Sequence, residues 1–256
     1  MTSLPPANRV SHRLARLAFM AACAAVLCVA LAGPLHRFLG LDFDVAIGLF
    51  RYGFYLGAGA IALGLATILP TRPGEHRRGF VAAVLALAIG IAAAWTPFKW
   101  FLDARNSPHI NDITTDTADP PQLVVTRQLR RDAQTPAAYA GASVADLQHA
   151  AYPDIQPIKL AMPPADTFKR VDRVAEAMGW EVVARAPGDG RSDGRLEAVD
   201  TTAWFGFQDD IVVRIRPDGA GSRIDIRSKS RVGSSDLGAN ARRIRDFSRR
   251  LKADGG

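Results

Sequence analysis

The sequence predicts an α+β protein: three N-terminal transmembrane helices, then a soluble domain of mainly antiparallel sheet with helices packed on one face. Two observations predict this division. Residues 1–98 contain three long apolar runs and only three acidic side chains, Asp42, Asp44 and Glu75. From residue 99 onward the chain is charged and rich in turn residues, and strand-like segments alternate with amphipathic helical patterns.

Three apolar runs, about residues 17–35, 50–69 and 80–98, are each close to the ~20 residues that cross a ~30 Å hydrocarbon core. The basic residues before the first run are also typical of a signal peptide. However, no small-residue cleavage site with a polar continuation follows, and two more runs come soon after. We therefore interpret residues 1–16 as a cytoplasmic tail and residues 17–98 as a three-helix transmembrane anchor in the lipid bilayer.

Basic residues in short loops predict the orientation of the anchor. They concentrate in the N-terminal tail and in the second loop: Arg9, Arg13, Arg16, Arg72, Arg77 and Arg78. Both segments are therefore expected to be cytoplasmic, and three crossings place the C-terminal domain outside. We expect a bacterial inner-membrane protein with a periplasmic domain, with Trp95 and Trp100 at the outer interface.

The distribution of charge argues against a nucleic-acid partner. The net charge is +7, but residues 1–98 hold 8 basic and 3 acidic residues (+5), whereas the remainder holds 24 and 22 (+2). A nucleic-acid binder would carry its excess on the soluble part. Both cysteines, Cys23 and Cys28, lie in the first apolar run, so the soluble part has no disulfide, thiol nucleophile or cysteine zinc site. No cofactor or metal is predicted.

Gly53 and Gly57 form a small-xxx-small pair in the second run, which allows helices to approach closely. That packing is expected within one three-helix unit, and contact between copies is the alternative. No acid, Lys or His lies in the middle of a run, which argues against an ion path.

Residues 99–136 are predicted to be a linker with an Asp/Thr/Pro-rich segment. Asp112, Asp116 and Asp119 stand among threonines, which is typical of turns and caps. A site for a hard cation such as calcium is the alternative, although the spacing is not that of an EF-hand.

Residues 137–256 are predicted to be the soluble α+β domain. A short strand in "IQPIKL" precedes a helix whose apolar positions are Phe168, Val171, Ala175 and Met178. Four strands follow, at about residues 180–185, 196–205, 210–216 and 222–230, with turns at "PGDGRSDG" and "PDGAG". A last helix is expected to bury Leu237, Ala241, Ile244 and Leu251.

Three stretches of this domain carry a resemblance: "AYPDIQPIKL", "AVDTTAWFGFQDDIVVRI" and "RSKSRVGSSDLGANARRIRDF". Together they resemble the domain-of-unknown-function 1499 family over roughly residues 110–251. The three-run prefix is similar to that of membrane-anchored members. The family has no established reaction, so the resemblance implies a domain and leaves its activity open. Some members carry a Cys near the domain start, and this chain has none.

The turn before the last helix is one candidate site, because Arg231, Ser234, Ser235, Asp236 and Asn240 are expected to gather there. A helix N-terminus binds anions readily and Arg231 adds a charged fork, whereas Asp236 would oppose an anion. The structural interpretation is that Ser234 or Ser235 caps the helix and Asp236 complements its dipole. "GSSDLG" is not the nucleophile elbow G-x-S-x-G, and His149 is distant in sequence.

Two further patterns carry alternatives. The carboxylates Glu197, Asp200, Asp209 and Asp210 are interpreted as solvated strand ends rather than as an acid–base pair. The aromatic group Trp204, Phe205 and Phe207 is expected in the core, with an exposed apolar edge as the alternative.

The last predicted strand is a second candidate site, because its charged residues alternate to one face. These are Arg223, Asp225, Arg227, Lys229 and Arg231, joined on the partner strand by Arg214 and Arg216. The face is either merely solvated or a surface that binds a protein partner or an anionic lipid. The predicted ligand-binding residues are Arg227, Lys229, Arg231, Ser234, Ser235 and Asp236.

These patterns leave three hypotheses for the function. The first is a membrane-anchored envelope protein whose periplasmic domain binds a partner or an anionic envelope component. The second is a periplasmic hydrolase that uses the Ser234, Ser235 and Asp236 turn. The third is a structural subunit of a membrane complex, with Gly53 and Gly57 facing outward. The sequence favours the first hypothesis and does not favour an enzyme.

Overall fold

The computed structural model describes residues 6–72, 78–189 and 192–253. The chain divides into two compact units, one of residues 1–102 with 204–206 and the other of residues 103–203 with 207–256. Some predicted features lie outside the described residues: the first five residues of the tail, Arg77, and Gly190 and Arg191 of the "PGDGRSDG" turn.

The helical unit consists of three long helices. They are α1 (Pro6–Leu39), α2 (Phe43–Ile68) and α3 (Arg78–Asn106). Gly40, with a φ of 68°, follows α1, and the side chain of Asp42 accepts hydrogen bonds from the backbone N–H groups of Asp44 and Val45 to cap α2. Each helix is long and apolar enough to cross a membrane. The three predicted runs therefore correspond to three candidate membrane spans.

The glycines of α2 pack inside this unit. A Cβ atom on Gly53 would lie 2.5 Å from Cγ2 of Val29 on α1, and one on Gly57 would lie 3.1 Å from the backbone oxygen of Gly90 on α3. Close packing within one unit is therefore confirmed, and the hypothesis that Gly53 and Gly57 face outward is wrong. A side chain at either position would force the helices apart.

Trp204, Phe205 and Gly206 belong to the helical unit rather than to the sheet. Phe205 is 1% exposed, and its ring centroid lies 5.8 Å from that of Phe50 and 5.3 Å from that of Trp100. Phe205 is thus buried, as predicted for the "WFGF" aromatics, but in a different unit. The strand expected to reach Phe205 ends at Thr201.

The second unit is built on a six-stranded antiparallel sheet. Its strands are β1 (Asp112–Thr114), β2 (Ile158–Leu160), β3 (Glu181–Ala186), β4 (Gly194–Thr201), β5 (Gln208–Asp218) and β6 (Gly221–Ser230). The order is β1-β6-β5-β4-β3, and β2 also pairs with β6. The helices are α4 (Val125–Gln128), α5 (Ala142–Ala151), α6 (Pro164–Ala177) and α7 (Ala239–Ala253). The predicted α+β fold class is confirmed.

Strand alternation gives the sheet one apolar face, which α6 and α7 cover. Ile211 and Val213 of β5 and Ile224 of β6 are fully buried in one core with Phe168 of α6 and Phe247 of α7. Trp180, just before β3, stacks on Phe247 with ring centroids 5.5 Å apart. Helices thus pack on the face that the sequence predicts.

Residues 99–136 do not form a linker, because they include strand β1. Asp112 and Thr114 pair with Lys229 and Arg227 on the free edge of β6. Gln148 of α5 then closes the outer edge of β1: it accepts a hydrogen bond from the backbone N–H of Thr114 (2.9 Å) and donates one to its carbonyl oxygen (2.7 Å). Sequence reasoning missed this strand because it has only three residues and two of them are polar.

Candidate functional site

The charged face of the sheet forms as the alternation predicts, but it is not an open surface. Asp225 is fully buried, and its carboxylate accepts hydrogen bonds from Arg214 (3.0 Å), Arg216 (2.7 Å) and Arg223 (3.0 Å). Register explains this arrangement, since Arg214 is paired with Asp225 and Arg216 with Arg223 across β5 and β6. One buried carboxylate therefore holds three arginines.

Asp116 and Asp119, in the segment after β1, bind the same arginines. Asp116 accepts from Arg216 at 3.2 Å and from Arg223 at 2.7 Å, and Asp119 accepts from Arg214 at 2.9 Å. Burial alone would raise the pKa of Asp116, but the backbone N–H of Asp119 and the neighbouring arginines lower it below 3.8. These carboxylates are ion-pair partners, and among the residues with assigned structure no group of three His, Cys, Asp or Glu could hold a metal.

Arg227 and Lys229, two of the predicted ligand-binding residues, are buried on Asp112. Arg227 donates to both carboxylate oxygens at 2.8 Å, and Nζ of Lys229 donates to Oδ2 at 2.9 Å. Burial lowers the pKa of Lys229, although Asp112 opposes the shift. Tyr139 lies over the guanidinium of Arg227 at 5.5 Å, and burial together with negative Asp112 raises the pKa of Tyr139 to about 12.

Arg231, the third predicted ligand-binding cation, is held by Asp210. Its Nη2 donates to Oδ1 of Asp210 at 2.7 Å, and the same carboxylate accepts from buried Arg130. The guanidinium of Arg231 also donates to Gln208. This carboxylate holds Arg231 at the start of β5, so Arg231 does not form a fork with the Ser234–Asp236 turn.

The expectation that this charged face meets solvent is therefore wrong for Arg227 and Lys229, which are 0% and 3% exposed. The segment after β1 covers the face and supplies two of its carboxylates, Asp116 and Asp119. The sequence shows both signs of charge, but Asp112, Asp116 and Asp119 lie 95 to 115 residues from the arginines that they bind, so local spacing could not predict these pairs.

Asp236, rather than either serine, caps the last helix. Its carboxylate accepts from the backbone N–H of Gly238 at 2.9 Å and of Asn240 at 2.7 Å. Leu237 has a φ of 52° and Gly238 one of 75°, so α7 begins only at Ala239 and Leu237 is not on its apolar stripe. Burial raises the pKa of Asp236, and the two backbone N–H groups oppose that shift.

The two serines of the turn have no catalytic geometry. Ser234 is exposed, and Ser235 donates to the carbonyl oxygen of Pro108 at 3.3 Å. Within residues 6–72, 78–189 and 192–253, no His or carboxylate forms a hydrogen bond with either hydroxyl. His149 instead contacts Thr117 at 3.1 Å. The elements of a nucleophile and a base are therefore not assembled here.

Asn240, which was expected to join the candidate turn before α7, is instead the centre of a buried network that sequence reasoning missed. Its Oδ1 accepts from Ser228 at 2.7 Å and from Arg243, while its Nδ2 donates to Ser230 at 3.1 Å. Arg243 in turn bonds to Asp209 at 2.6 Å. The signal available in the sequence was that two polar residues, Ser228 and Ser230, alternate onto the apolar face of β6.

The four carboxylates that suggested an acid–base pair instead bind arginines and backbone N–H groups of the protein. Glu197 is fully buried and accepts from the backbone N–H groups of Val124 and Thr126 at 3.0 and 2.9 Å. Asp200 and Asp209 bind Arg243, and Asp210 binds Arg231. The prediction of solvated strand ends is thus wrong for Glu197, Asp209 and Asp210, which are buried.

The exposed surface of α7 carries a cluster of accessible cations. Its exposed basic residues are Arg242, Arg245, Arg249, Arg250 and Lys252, against the single acid Asp246. Arg245 pairs with Asp154 and Arg249 with Asp246. Arg250 and Lys252 form no ion pair within the described part of the chain. A cleft of about 380 Å³ lies between α7 and residues 154–158.

A second cleft, of about 400 Å³, separates α6 from α7. Arg173, Val174 and Ala177 line it from α6, and Arg250 and Ala253 line it from α7. Among the residues that the structure describes, no carboxylate belongs to this lining. Arg170, one turn before Val174 on α6, is 4% exposed.

Comparison with known proteins identifies one family. A family model described as "Protein of unknown function (DUF1499)" matches residues 112–251, which is the charged sheet with its helices. No curated protein matches the chain. Among solved structures, one described as "Crystal structure of Ara h 8.0201" aligns at 11% identity and a TM-score of 0.20, covering 38% of this chain and 95% of that chain.

Proposed function

Because the chain belongs to the DUF1499 family of proteins of unknown function, we propose that it is a membrane-anchored envelope protein whose second unit binds an anionic component without catalysis. The three apolar helices serve as the anchor. The arginines in the first turns of α1 and around residues 72–78 favour a cytoplasmic N-terminus in a bacterial inner membrane. The second unit is then periplasmic.

The observation that carries the proposal is the contrast between two sets of cations. On the sheet, Arg227 and Lys229 are buried and both are paired with Asp112. On α7, five exposed cations face two carboxylates, Asp154 and Asp246, so a surplus of positive charge is at the surface. Such a surface attracts anionic ligands and speeds their association. We therefore assign binding to the α7 surface instead of to β6.

The alternatives have less support. A hydrolase at the Ser234 turn would need a base within hydrogen-bond reach. The nearest carboxylate in the sequence, Asp236, already caps α7. A structural subunit of a membrane complex would need an outward packing surface other than Gly53 and Gly57, which contact α1 and α3.

The test is purification of the full chain from membranes in mild detergent, with co-purifying lipids and proteins identified by mass spectrometry. The informative variant replaces Arg249, Arg250 and Lys252 with Gln. A matched control replaces three exposed cations elsewhere in the same unit, Arg127, Lys159 and Lys169. We expect an anionic component that the α7 variant loses and the control retains. Equal recovery from all three proteins would overturn the proposal.

A further inference from the structure

The cleft between α7 and residues 154–158 has an apolar floor. Ile155 and Ile158 line it from one side and Ile244 lines it from α7, and none of the three is more than 4% exposed. The cleft has a volume of about 380 Å³, within the range of about 300–1,000 Å³ that is typical of small-molecule sites. A short alkyl chain on this floor would be removed from water, which favours binding.

Three cations line the cleft from one side of α7. They are Arg245, Arg249 and Lys252, and spacings of four and three residues place them on one row of the helix. Among the described lining residues Asp154 is the one carboxylate, so three positive groups face one negative group. The C-terminal end of a helix adds about half an elementary negative charge. The cleft therefore retains an excess of positive charge.

Asp154 shows how an oxyanion binds to this row. Its carboxylate accepts hydrogen bonds from Nε and Nη2 of Arg245 at 2.6 and 2.7 Å, and this hydrogen bonding lowers the pKa of Asp154. Farther along α7, Lys252 forms no ion pair within the part of the chain that the structure describes. Arg249 pairs with Asp246, whose side chain is half exposed, and a pair of this kind is weak. Both cations can therefore bind a second oxyanion.

We propose that this cleft binds a small amphiphilic anion, with its carboxylate or phosphate on Arg249 and Lys252 and its apolar group on the isoleucine floor. This inference rests on the proposed function and names its site and ligand chemistry. The cations are exposed and the isoleucines are buried, so the charged group faces solvent and the apolar group lies beneath it. An organic acid and an alkyl phosphate ester, such as part of a lipid, both present this chemistry.

The experiment measures binding to the full chain in phosphatidylcholine nanodiscs by saturation-transfer difference NMR, with empty nanodiscs as background. Hexanoate and monohexyl phosphate are the probes. Hexanamide has the chain of hexanoate without its charge, and acetate has the charge without the chain. Arg249→Gln and Lys252→Gln each remove one cation from the lining. Arg250→Gln is the matched control, because Arg250 is an exposed cation of the same helix that lines the other cleft.

Ser248→Leu fills the cleft without a change of charge. Ser248 belongs to the lining, and its hydroxyl donates to the carbonyl oxygen of Ile244 at 2.7 Å. Ser248→Ala removes the same hydrogen bond but leaves the cleft open, so a loss of binding in the Leu variant alone reports on the cleft. Circular dichroism verifies that both variants fold. If the Leu variant does not fold, Lys252→Gln still decides the outcome.

We expect the wild type, Arg250→Gln and Ser248→Ala to bind hexanoate with the same Kd. Arg249→Gln and Lys252→Gln should each raise the Kd about two- to five-fold, as for the loss of an exposed ion pair, and Ser248→Leu should abolish binding. Acetate and hexanamide should bind more weakly than hexanoate. Binding of both probes would show that either oxyanion is recognised, and binding of monohexyl phosphate alone would identify a phosphate ester as the source.

Three results would contradict the inference. The first is a wild type that binds neither probe above the background of empty nanodiscs. The second is an equal loss of binding in Arg250→Gln and Lys252→Gln, which would indicate general surface charge. The third is equal binding of hexanamide and hexanoate, which would show that the cations do not contribute. If neither probe binds but the anionic component still depends on Arg249, Arg250 and Lys252 in the purification, the cleft assignment fails and the proposed function stands.

Discussion

Nζ of Lys229 lies 2.9 Å from Oδ2 of Asp112, and both side chains are almost fully buried. Arg227 binds the same carboxylate, so a single negative charge compensates two buried cations. Asp112 lies on a three-residue strand at the sheet edge. The stability of this edge therefore depends on one carboxylate that is 117 residues from Lys229 in the sequence.

Asp112→Asn should strongly destabilise the second unit. The amide cannot compensate Arg227 and Lys229, and breaking a buried ion pair costs about 3–5 kcal/mol. Chemical unfolding of the full chain, followed by the fluorescence of Trp180 in the second unit, measures the loss of stability. Asp218→Asn is the matched control, since its partner Lys159 is exposed and the pair contributes little. Equal stability of the two variants would contradict the buried network.

Asp116→Asn should reveal a pH dependence of defined sign. The pKa of Asp116 is lowered in the folded protein, so between that pKa and 3.8 the unfolded chain binds more protons than the folded one. The stabilisation by ionised Asp116 is thus fully present above 3.8 and is lost as the pH falls through the folded pKa. At neutral pH the free energy of unfolding of the wild type should exceed that of Asp116→Asn by about 1.5–3 kcal/mol, as for hydrogen bonds to charged groups. This difference should shrink below pH 3.8.

Urea unfolding at a series of pH values measures this difference. Asp132→Asn serves as the control, because Asp132 is an exposed turn residue and its replacement should change stability little at any pH. A difference that stayed constant down to strongly acidic pH would show that Asp116 acts through packing and not through charge.

Much of the sheet followed from the sequence, because alternation in β5 and β6 is a local pattern. Ile211 and Val213 face the core and Arg214 faces away, as the period of two requires. The partners of these arginines did not follow, since Asp116 lies 98 residues from Arg214 and approaches it only through tertiary folding. The same reason explains why the sheet face was expected to be solvated. The burial of Arg170 was not predicted either, because the burial of a single charged side chain depends on how the helices pack.

Asn240→Ala should destabilise the second unit, and Ser234→Ala should not. Asn240 is fully buried, and its loss leaves the hydroxyls of Ser228 and Ser230 without a partner amide. Unsatisfied buried groups of this kind cost about 1–3 kcal/mol each. Ser234 is exposed, so the Ala variant tests the hydrolase alternative without disturbing the fold. Thermal unfolding compares the two, and a cellular defect in a stable Ser234→Ala protein would revive that alternative.

Gly53→Leu and Gly57→Leu should each weaken the helical unit through contacts within one chain. A Cβ atom at Gly53 meets Cγ2 of Val29 at 2.5 Å, and one at Gly57 meets the backbone oxygen of Gly90 at 3.1 Å. Overpacking of this kind costs about 1–3 kcal/mol.

Gly59→Leu is the matched control on the same helix, because a Cβ atom there meets nothing within 4 Å. Helix loss on heating in detergent, followed by circular dichroism, should show lower transition temperatures for the first two variants only. The shift should also be independent of protein concentration, because α1 and α3 belong to the same chain as α2. A concentration-dependent shift would instead indicate that these glycines contact a second copy, and would restore the structural-subunit hypothesis.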